Sequence, residues 1–188
     1  LNKFKSNNSF TIRPIYTNYE FSYDSLLNII DSGLYFSVFN RNVNKINFNK
    51  LPLSLQQKYT TDHPFGWGDG AFKNAKGYQS IVSTGINLNY KNLIINLAPE
   101  YLYTENSIYN GLNFPKVYKN YIGNSYMYLN FKNLIFGVSN QNIWWGPGVY
   151  NALLMTNNAP GFMHLNISTV SPIKTFIGSF EFQIIGGK

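Results

Sequence analysis

Three tryptophans and a group of Asx residues are the side chains of this sequence with the clearest chemical potential. Trp67 lies within HPFGWGDG, and Trp144 and Trp145 begin the stretch WWGPGVYNALLMTNNAPG. An indole ring offers a flat apolar face to the C–H side of a pyranose ring, and amide or carboxylate groups can hydrogen-bond its hydroxyl groups. The candidate carbohydrate-binding residues are Trp67, Asp69, Trp144, Trp145, Asn151, Asn157 and Asn158.

The same residues also have a structural interpretation. Tryptophan is enriched where a membrane meets water, and Trp144 and Trp145 could belong to such an aromatic belt or pack the loop itself. Asparagine stabilises tight turns through hydrogen bonds between its side chain and the backbone. The sequence alone leaves both interpretations open.

Other kinds of site have weaker support. Glu100 and Glu181 could form the carboxylate pair of a glycoside hydrolase, but nothing in the sequence brings them close together, as that chemistry requires. His63 and His164 are the only histidines and lack the spacing of metal ligands. The Gly-rich run at 66–70 lacks the strand-to-helix context of a phosphate loop. The sequence therefore predicts a protein without a catalytic site, a metal or a cofactor.

Composition narrows the class of protein. The chain has 188 residues, enough for one domain with a core, and only 12% of them are charged, about half the share usual in soluble proteins. Aromatic residues make up 18%, and cysteine is absent, which excludes disulfides and thiol metal sites. The net charge is +7, but the lysines are scattered and only Arg13 and Arg41 are arginine, which argues against nucleic-acid binding. No apolar run reaches the roughly 18 residues that a transmembrane helix needs.

Period-two alternation predicts strands over most of the chain. From 78 to 90, Val82, Ile86 and Leu88 fall on one face and polar residues on the other, and 93–104 repeats this pattern. Only Lys91-Asn92 separates these strands, and LNYKNLIINL at 88–97 is matched by LNFKNLIFGV at 129–138. A third hairpin is predicted from FMHLNISTV and a last strand that alternates from Phe176 onward, joined by residues 171–175.

One helix is predicted near 24–32, within YDSLLNIIDSG. Asp24 or Ser22 can cap its first turn, and Gly33 can end it.

The connections between the predicted strands differ in length at the two ends. Lys-Asn turns lie at one end, and long loops, including 61–76 and the stretch after Trp145, lie at the other. This asymmetry predicts an all-β fold, an antiparallel up-and-down transmembrane β-barrel with short periplasmic turns and long external loops. The two Trp/Gly corners should then be neighbours at the external rim or inside the barrel mouth. A soluble β-sandwich also alternates, but its outer face usually carries more charge.

Four stretches of the sequence carry a resemblance to a known family: NIWWGPGVYNALLMTNNAPGFMHLNIST, PIKTFIGSFEFQIIGG, HPFGWGDGAFKNAKGYQS and LAPEYLYTEN. They resemble the capsule assembly Wzi-like family of outer-membrane proteins, and look closest to the branch common in bacteria of the Bacteroidota type. The resemblance covers roughly residues 50–188. It implies a large barrel of about eighteen strands in the outer membrane, and periplasmic helices that the helix near 24–32 would fit.

Further expectations follow from this resemblance. Residues 1–50 should form an N-terminal segment, periplasmic or the first strands, and residues 51–188 an incomplete barrel that belongs to the N-terminal portion of a longer protein. The implied function is non-enzymatic: binding or organising surface polysaccharide, of which the net positive charge favours an acidic one, with outer-membrane lipid and envelope proteins as further partners. The alternative is a structural or accessory subunit of a secretion or surface-assembly complex.

Overall fold

The computed structural model describes residues 12–14, 46–145, 154–169 and 173–187, and the side chains of all of these except 12–14 and 144–145. The helix predicted near 24–32 lies outside the described residues. Within the described ranges every regular element is a strand, so the all-β prediction is confirmed. No helix in this part of the chain has the length and hydropathy to cross a membrane.

The described part of the chain contains thirteen strands. They are β1 (Ile12–Pro14), β2 (Asn47–Thr60), β3 (Gly77–Tyr90), β4 (Leu93–Leu97), β5 (Glu100–Thr104), β6 (Val117–Tyr121), β7 (Tyr126–Phe131), β8 (Leu134–Ser139), β9 (Ile143–Trp145), β10 (His164–Thr169), β11 (Ile173–Thr175), β12 (Gly178–Phe180) and β13 (Gln183–Gly187).

Nine of these strands form one antiparallel sheet in which the chain runs up and down between neighbours. β2 pairs with β3, and β3 pairs with β4 and β5 along successive parts of its length. β4 pairs with β7 and β5 with β6, so β4/β5 and β6/β7 are each one interrupted strand. The sheet continues through β8 and β10 to β13. This order confirms the antiparallel up-and-down arrangement.

The interruption of the β4/β5 strand lies at Ala98 and Pro99. Pro99 has no N–H to donate to a neighbouring strand. Ala98 forms an isolated parallel bridge with Gly123, which lies in the gap between β6 and β7. The paired breaks let two neighbouring strands bend at the same level.

The two Lys-Asn turns are confirmed. Lys91 and Asn92 join β3 to β4, and Lys132 and Asn133 join β7 to β8. Both lysines adopt the left-handed backbone region, with φ of 49° at Lys91 and 56° at Lys132.

The sheet has an apolar outer face and a mainly polar inner face, on which Ile81, Ile94, Leu102 and Ile135 are also buried. In β10, Leu165 and Ile167 are 62% and 44% exposed, whereas His164, Asn166 and Ser168 between and beside them are buried. An outer row across five strands consists of Leu88, Ile95, Met127, Val138 and Leu165. The inner row beside it consists of Asn87, Asn96, Tyr126, Ser139 and His164. Apolar side chains outside and polar ones inside reverse the order of a water-soluble domain.

Aromatic residues border the apolar face at both ends of the strands. At one end Tyr103 lies 6.3 Å from Tyr78 and 5.2 Å from Tyr118, measured between ring centroids. At the other end of the same face stand Tyr90 and Phe131. Tyr78 and Tyr90 are 12 positions apart in β3, which is about 40 Å along a strand and about 30 Å across a membrane at the usual barrel tilt of about 40°.

The predicted last strand from Phe176 is wrong. β11 and β12 form a separate small hairpin, and the strand that pairs with β10 begins only at Gln183. Phe176 and Ile177 occupy the hairpin tip and are 99% and 83% exposed. The apparent alternation therefore ran across a turn, and this third connection is longer than the two Lys-Asn turns.

Candidate functional site

Long connections precede β3, follow β5 and precede β10 at one end of the sheet, here called the loop end; the Lys-Asn turns and the β11/β12 hairpin lie at the opposite turn end. Two segments of the loop end are in contact: 61–76, between β2 and β3, and 154–163, before β10. These segments together with Lys58 and Asn142 are called the loop cluster. The contact joins the Trp67 corner to the Asn157-Asn158 turn, whereas residues 146–148 of the other Trp/Gly corner lie outside the described residues.

Segment 61–76 folds over the inner face of the sheet. Ala71 packs against Ile81 of β3 and Leu102 of β5, all three being buried, and Phe72 and Tyr121 pack around them. The segment therefore closes over the polar interior of the sheet at the loop end.

Two inner-face residues on adjacent strands hold this segment by hydrogen bonds. Lys58 of β2 donates to the Phe65 carbonyl oxygen over 2.6 Å and forms an ion pair of 2.5 Å with Asp69. Its partner in the ladder, Gln79, is fully buried, donates to the Lys73 carbonyl over 2.8 Å, and accepts from the Lys73 N–H over 3.0 Å. Because the strand ladder fixes the backbone of both residues, their side-chain bonds tie the segment to the sheet.

Asn157 connects the second segment to the first. Its side chain is 2% exposed, donates to the Gly68 carbonyl over 2.9 Å, and accepts from the Asn142 amide. Its own carbonyl accepts from the Gly70 N–H over 2.7 Å. Asn157 therefore lies beneath the surface, where its contacts fix the course of the Gly68–Gly70 backbone.

Asn158 completes the connection from the exposed side. Its side-chain oxygen accepts from the Gly68 N–H over 2.6 Å. Gly68 has φ of +65°, which a residue with a side chain adopts at higher energy. Both the N–H and the carbonyl of Gly68 are therefore bonded by neighbouring asparagines.

Trp67 stands between these fixed points. The Phe65 carbonyl on one side is bonded by Lys58, and Gly68 on the other is bonded by Asn157 and Asn158. The Trp67 side chain is nevertheless 56% exposed, and that of Phe65 67%. The cluster thus presents an open indole on a backbone held from both sides.

A polar cleft lies beside the cluster on the inner face. Asp69 contributes a carboxylate that is already paired with Lys58, and Glu100 contributes a second one from the start of β5. The residues lining the cleft are Gln56, Asp69, Gly70, Ala71, Ile81, Glu100, Asn124 and Asn142. Glu181, by contrast, lies between β12 and β13 and takes no part in this cleft.

The other candidate residues are placed only in part. Trp144 and Trp145 belong to β9, whose backbone pairs with β1, with Trp145 opposite Ile12 and Trp144 opposite Arg13. Asn151 lies outside the described residues. Of the seven candidates, the structure brings together Trp67, Asp69, Asn157 and Asn158.

Sequence reasoning missed the residues that hold the cluster, namely Lys58, Gln79 and Asn142. Their position in the strand alternation could have identified two of these residues. Lys58 and Gln79 fall on the inner face at strand ends next to a long loop, where a polar side chain can reach the loop backbone. Among the described residues no group of three or more carboxylate or imidazole side chains is arranged to hold a metal ion.

Comparison with known proteins supplies the family. The family model described as capsule assembly protein Wzi matches residues 49–188. The chain belongs to the Wzi capsule assembly family. No curated protein and no solved structure matched the chain significantly.

Membership of the Wzi family explains the inverted sheet. Wzi proteins are outer-membrane β-barrels of capsule assembly and are not a known enzyme family, so this chain is an outer-membrane protein. The apolar face then contacts lipid, and the aromatic residues at its two borders lie at the membrane interfaces.

Proposed function

We propose that the loop cluster binds surface polysaccharide, and that the protein holds or organises capsule without cleaving it. The observation that carries this proposal is the state of Trp67: its ring is more than half exposed, yet the backbone on both sides of it is hydrogen-bonded. An aromatic face that is ordered before the ligand arrives loses little entropy on binding.

The residues around Trp67 divide into two roles in this proposal. Trp67 stacks on a sugar ring, and the exposed Asn158 and the partly exposed Asp69 bond hydroxyl groups. Asn157 positions the loop from below instead of touching the ligand. Trp144, Trp145 and Asn151 remain proposed contacts.

An acidic polysaccharide is the favoured ligand class. The chain carries a net charge of +7, and Asp69 is neutralised by Lys58, so that Lys73 and Lys76 outnumber Asp62 among the other charged residues of the segment. A surface with excess positive charge raises the local concentration of an anionic polymer, and this effect weakens with salt. Binding of an acidic glycan should therefore fall as ionic strength rises, while binding of a neutral glycan should not.

The experiment is a titration of full-length protein in detergent with capsular polysaccharide fragments. Trp67→Ala should weaken binding about tenfold, the equivalent of about 1.4 kcal/mol, and Trp67→Phe should restore part of the affinity. The matched control is Phe176→Ala, which removes an even more exposed ring at the opposite end of the sheet. Unchanged affinity in Trp67→Ala, or an equal loss in Phe176→Ala, contradicts the proposal.

A second candidate is a structural subunit whose loops dock an envelope protein. Segment 105–116 favours it, because Ile108 and Leu112 are 58% and 62% exposed in this connection between strands, and exposed apolar side chains can mark a protein contact. This candidate expects no glycan binding by the native protein, and loss of a co-purifying partner in Ile108→Ser with Leu112→Ser.

A further inference from the structure

The two Lys-Asn turns share an unusual backbone feature. Lys91 and Lys132 both have positive φ, a conformation that asparagine and glycine adopt more readily than lysine. An asparagine follows each lysine directly, at Asn92 and Asn133. A residue kept in an unfavourable conformation twice, at equivalent positions, points to a role for its side chain.

The sheet places the two turns side by side. β4 pairs with β7, and Asn92 extends this pairing beyond the strands. The Asn92 carbonyl accepts from the Asn130 N–H over 2.8 Å, and the Asn92 side-chain amide donates to the Asn130 carbonyl, also over 2.8 Å. The two turns, and therefore the two lysines, are fixed as neighbours along the turn end.

Each lysine also lies against an outward-facing ring. The Lys91 ammonium is 5.4 Å from the centroid of Tyr90, and the Lys132 ammonium is 5.7 Å from that of Phe131. Tyr90 and Phe131 are 38% and 61% exposed on the lipid-facing side of the sheet. Cation–π contact therefore holds both ammonium groups at the border of the apolar face, at the level of lipid headgroups.

No acidic side chain balances these charges in the described part of the chain. The ion pairs there are Lys58 with Asp69 and His63 with Asp62, both at the loop end. Lys91 and Lys132 are exposed, and neighbouring like charges repel each other. An anion that bonds both ammonium groups would relieve this repulsion.

We propose that Lys91 and Lys132 form a binding site for a phospholipid of net negative charge, such as phosphatidylglycerol, in the leaflet at the turn end. The apolar outer face takes the acyl chains, the rings of Tyr90 and Phe131 lie at the glycerol level, and the two ammonium groups bond the phosphate. In barrels with short periplasmic turns this is the periplasmic leaflet. The site is independent of glycan binding, since it lies at the opposite end of the sheet.

The test measures lipid retained by the full-length protein. Protein in detergent is equilibrated with equal amounts of phosphatidylglycerol and phosphatidylethanolamine, and bound lipid is counted by native mass spectrometry. The native protein should enrich phosphatidylglycerol, and Lys91→Asn with Lys132→Asn should lower that enrichment about 25-fold, since each basic residue near an anionic surface contributes roughly a fivefold preference. Asparagine suits the positive φ, so the turns should still form.

Lys116→Asn is the matched control, since it removes one exposed lysine from the loop end. Lys91→Arg with Lys132→Arg should keep the preference, because the charge remains. Equal retention of both lipids by the native protein, or an unchanged preference in the double Asn variant, overturns the proposal. So does an equal loss of preference in Lys116→Asn.

Two further readouts do not depend on any variant. The preference of the native protein should decline as potassium chloride rises, and a preference that is insensitive to salt overturns the electrostatic argument. Inorganic phosphate at the lipid's concentration should not displace phosphatidylglycerol. Displacement by phosphate would indicate a site for free anions and overturn the assignment to lipid.

Discussion

The two ends of the sheet use lysine in opposite ways. At the loop end Lys58 is largely enclosed and bonded to Asp69 and to the Phe65 carbonyl, so its charge is neutralised within the protein. At the turn end Lys91 and Lys132 are exposed over aromatic rings, with no carboxylate partner among the described residues. The first arrangement fixes a loop, and the second leaves a charge available to something outside the chain.

The difference shows that residue type alone does not define the role of a lysine in this sheet. A lysine that points to the polar interior can find carbonyl and carboxylate partners from a loop folded over it. A lysine at the rim of the apolar face meets rings and lipid instead. Substitutions at both ends of the sheet should change stability to different extents, and those at Lys58 should change it most.

Lys58→Met should have the largest effect. It leaves the Asp69 carboxylate and the Phe65 carbonyl without their partner, which costs about 3 kcal/mol of local stability. The measurement is hydrogen exchange of the amides of residues 65–70 in full-length protein, because segment 61–76 can open without unfolding the sheet. Lys73→Met serves as the control, since the bonds of Lys73 to Gln79 use its backbone. Equal protection in the two variants would remove Lys58 from its proposed role.

Asn157→Ala should come next, at about 2 kcal/mol, because it leaves the Gly68 carbonyl and the Asn142 amide unbonded below the surface. Faster exchange at Gly70 is the sensitive readout, since the Gly70 N–H bonds the Asn157 carbonyl and depends on the position of that residue. Asn157→Asp keeps the acceptor for Asn142 but loses the donor to Gly68, and should fall between Ala and the native residue.

Asn158→Ala should cost about 1 kcal/mol, because the hydrogen bond to Gly68 is exposed and water can replace the acceptor. The exchange rate of the Gly68 amide should rise while that of Gly70 stays nearly constant. A loss of stability as large as that of Asn157→Ala would contradict the difference in burial between the two asparagines.

Lys91→Asn and Lys132→Asn should have the smallest effect, a gain of a few tenths of a kcal/mol each, because asparagine tolerates positive φ better than lysine. Urea unfolding in mixed micelles is the measurement. A clear loss of stability would show that these lysines, like Lys58, hold the fold, and the contrast between the two ends would disappear.

The sequence predicted the strands of this protein better than its loops. Alternation over 78–90 and the repeated Lys-Asn turns depend on neighbours in sequence, so they predicted the faces and two of the hairpins. The Wzi-like stretches predicted the family. The prediction of a last strand from Phe176 was wrong, because period-two alternation cannot distinguish one continuous strand from two short strands joined by a turn at Phe176 and Ile177.

The loop cluster required information that no local pattern contains. The bond between Gly68 and Asn158 joins residues 90 positions apart, and it forms only because β3 and β10 lie in one sheet with the chain entering both from the same end. The candidate residues were therefore predicted by their chemistry alone. Which of them is open, as Trp67 is, and which is enclosed, as Asn157 is, depends on that long-range pairing.

The alternation of apolar and polar side chains along the strands also affects how the protein enters its membrane. In an unfolded segment such as 78–90, apolar and polar side chains are mixed along the chain, and neither lipid nor water is a better solvent for the whole. Only when the segment becomes a strand do its apolar side chains gather on one side. Affinity for the bilayer is therefore a property of the folded sheet, and the sheet should fold and insert in a single step.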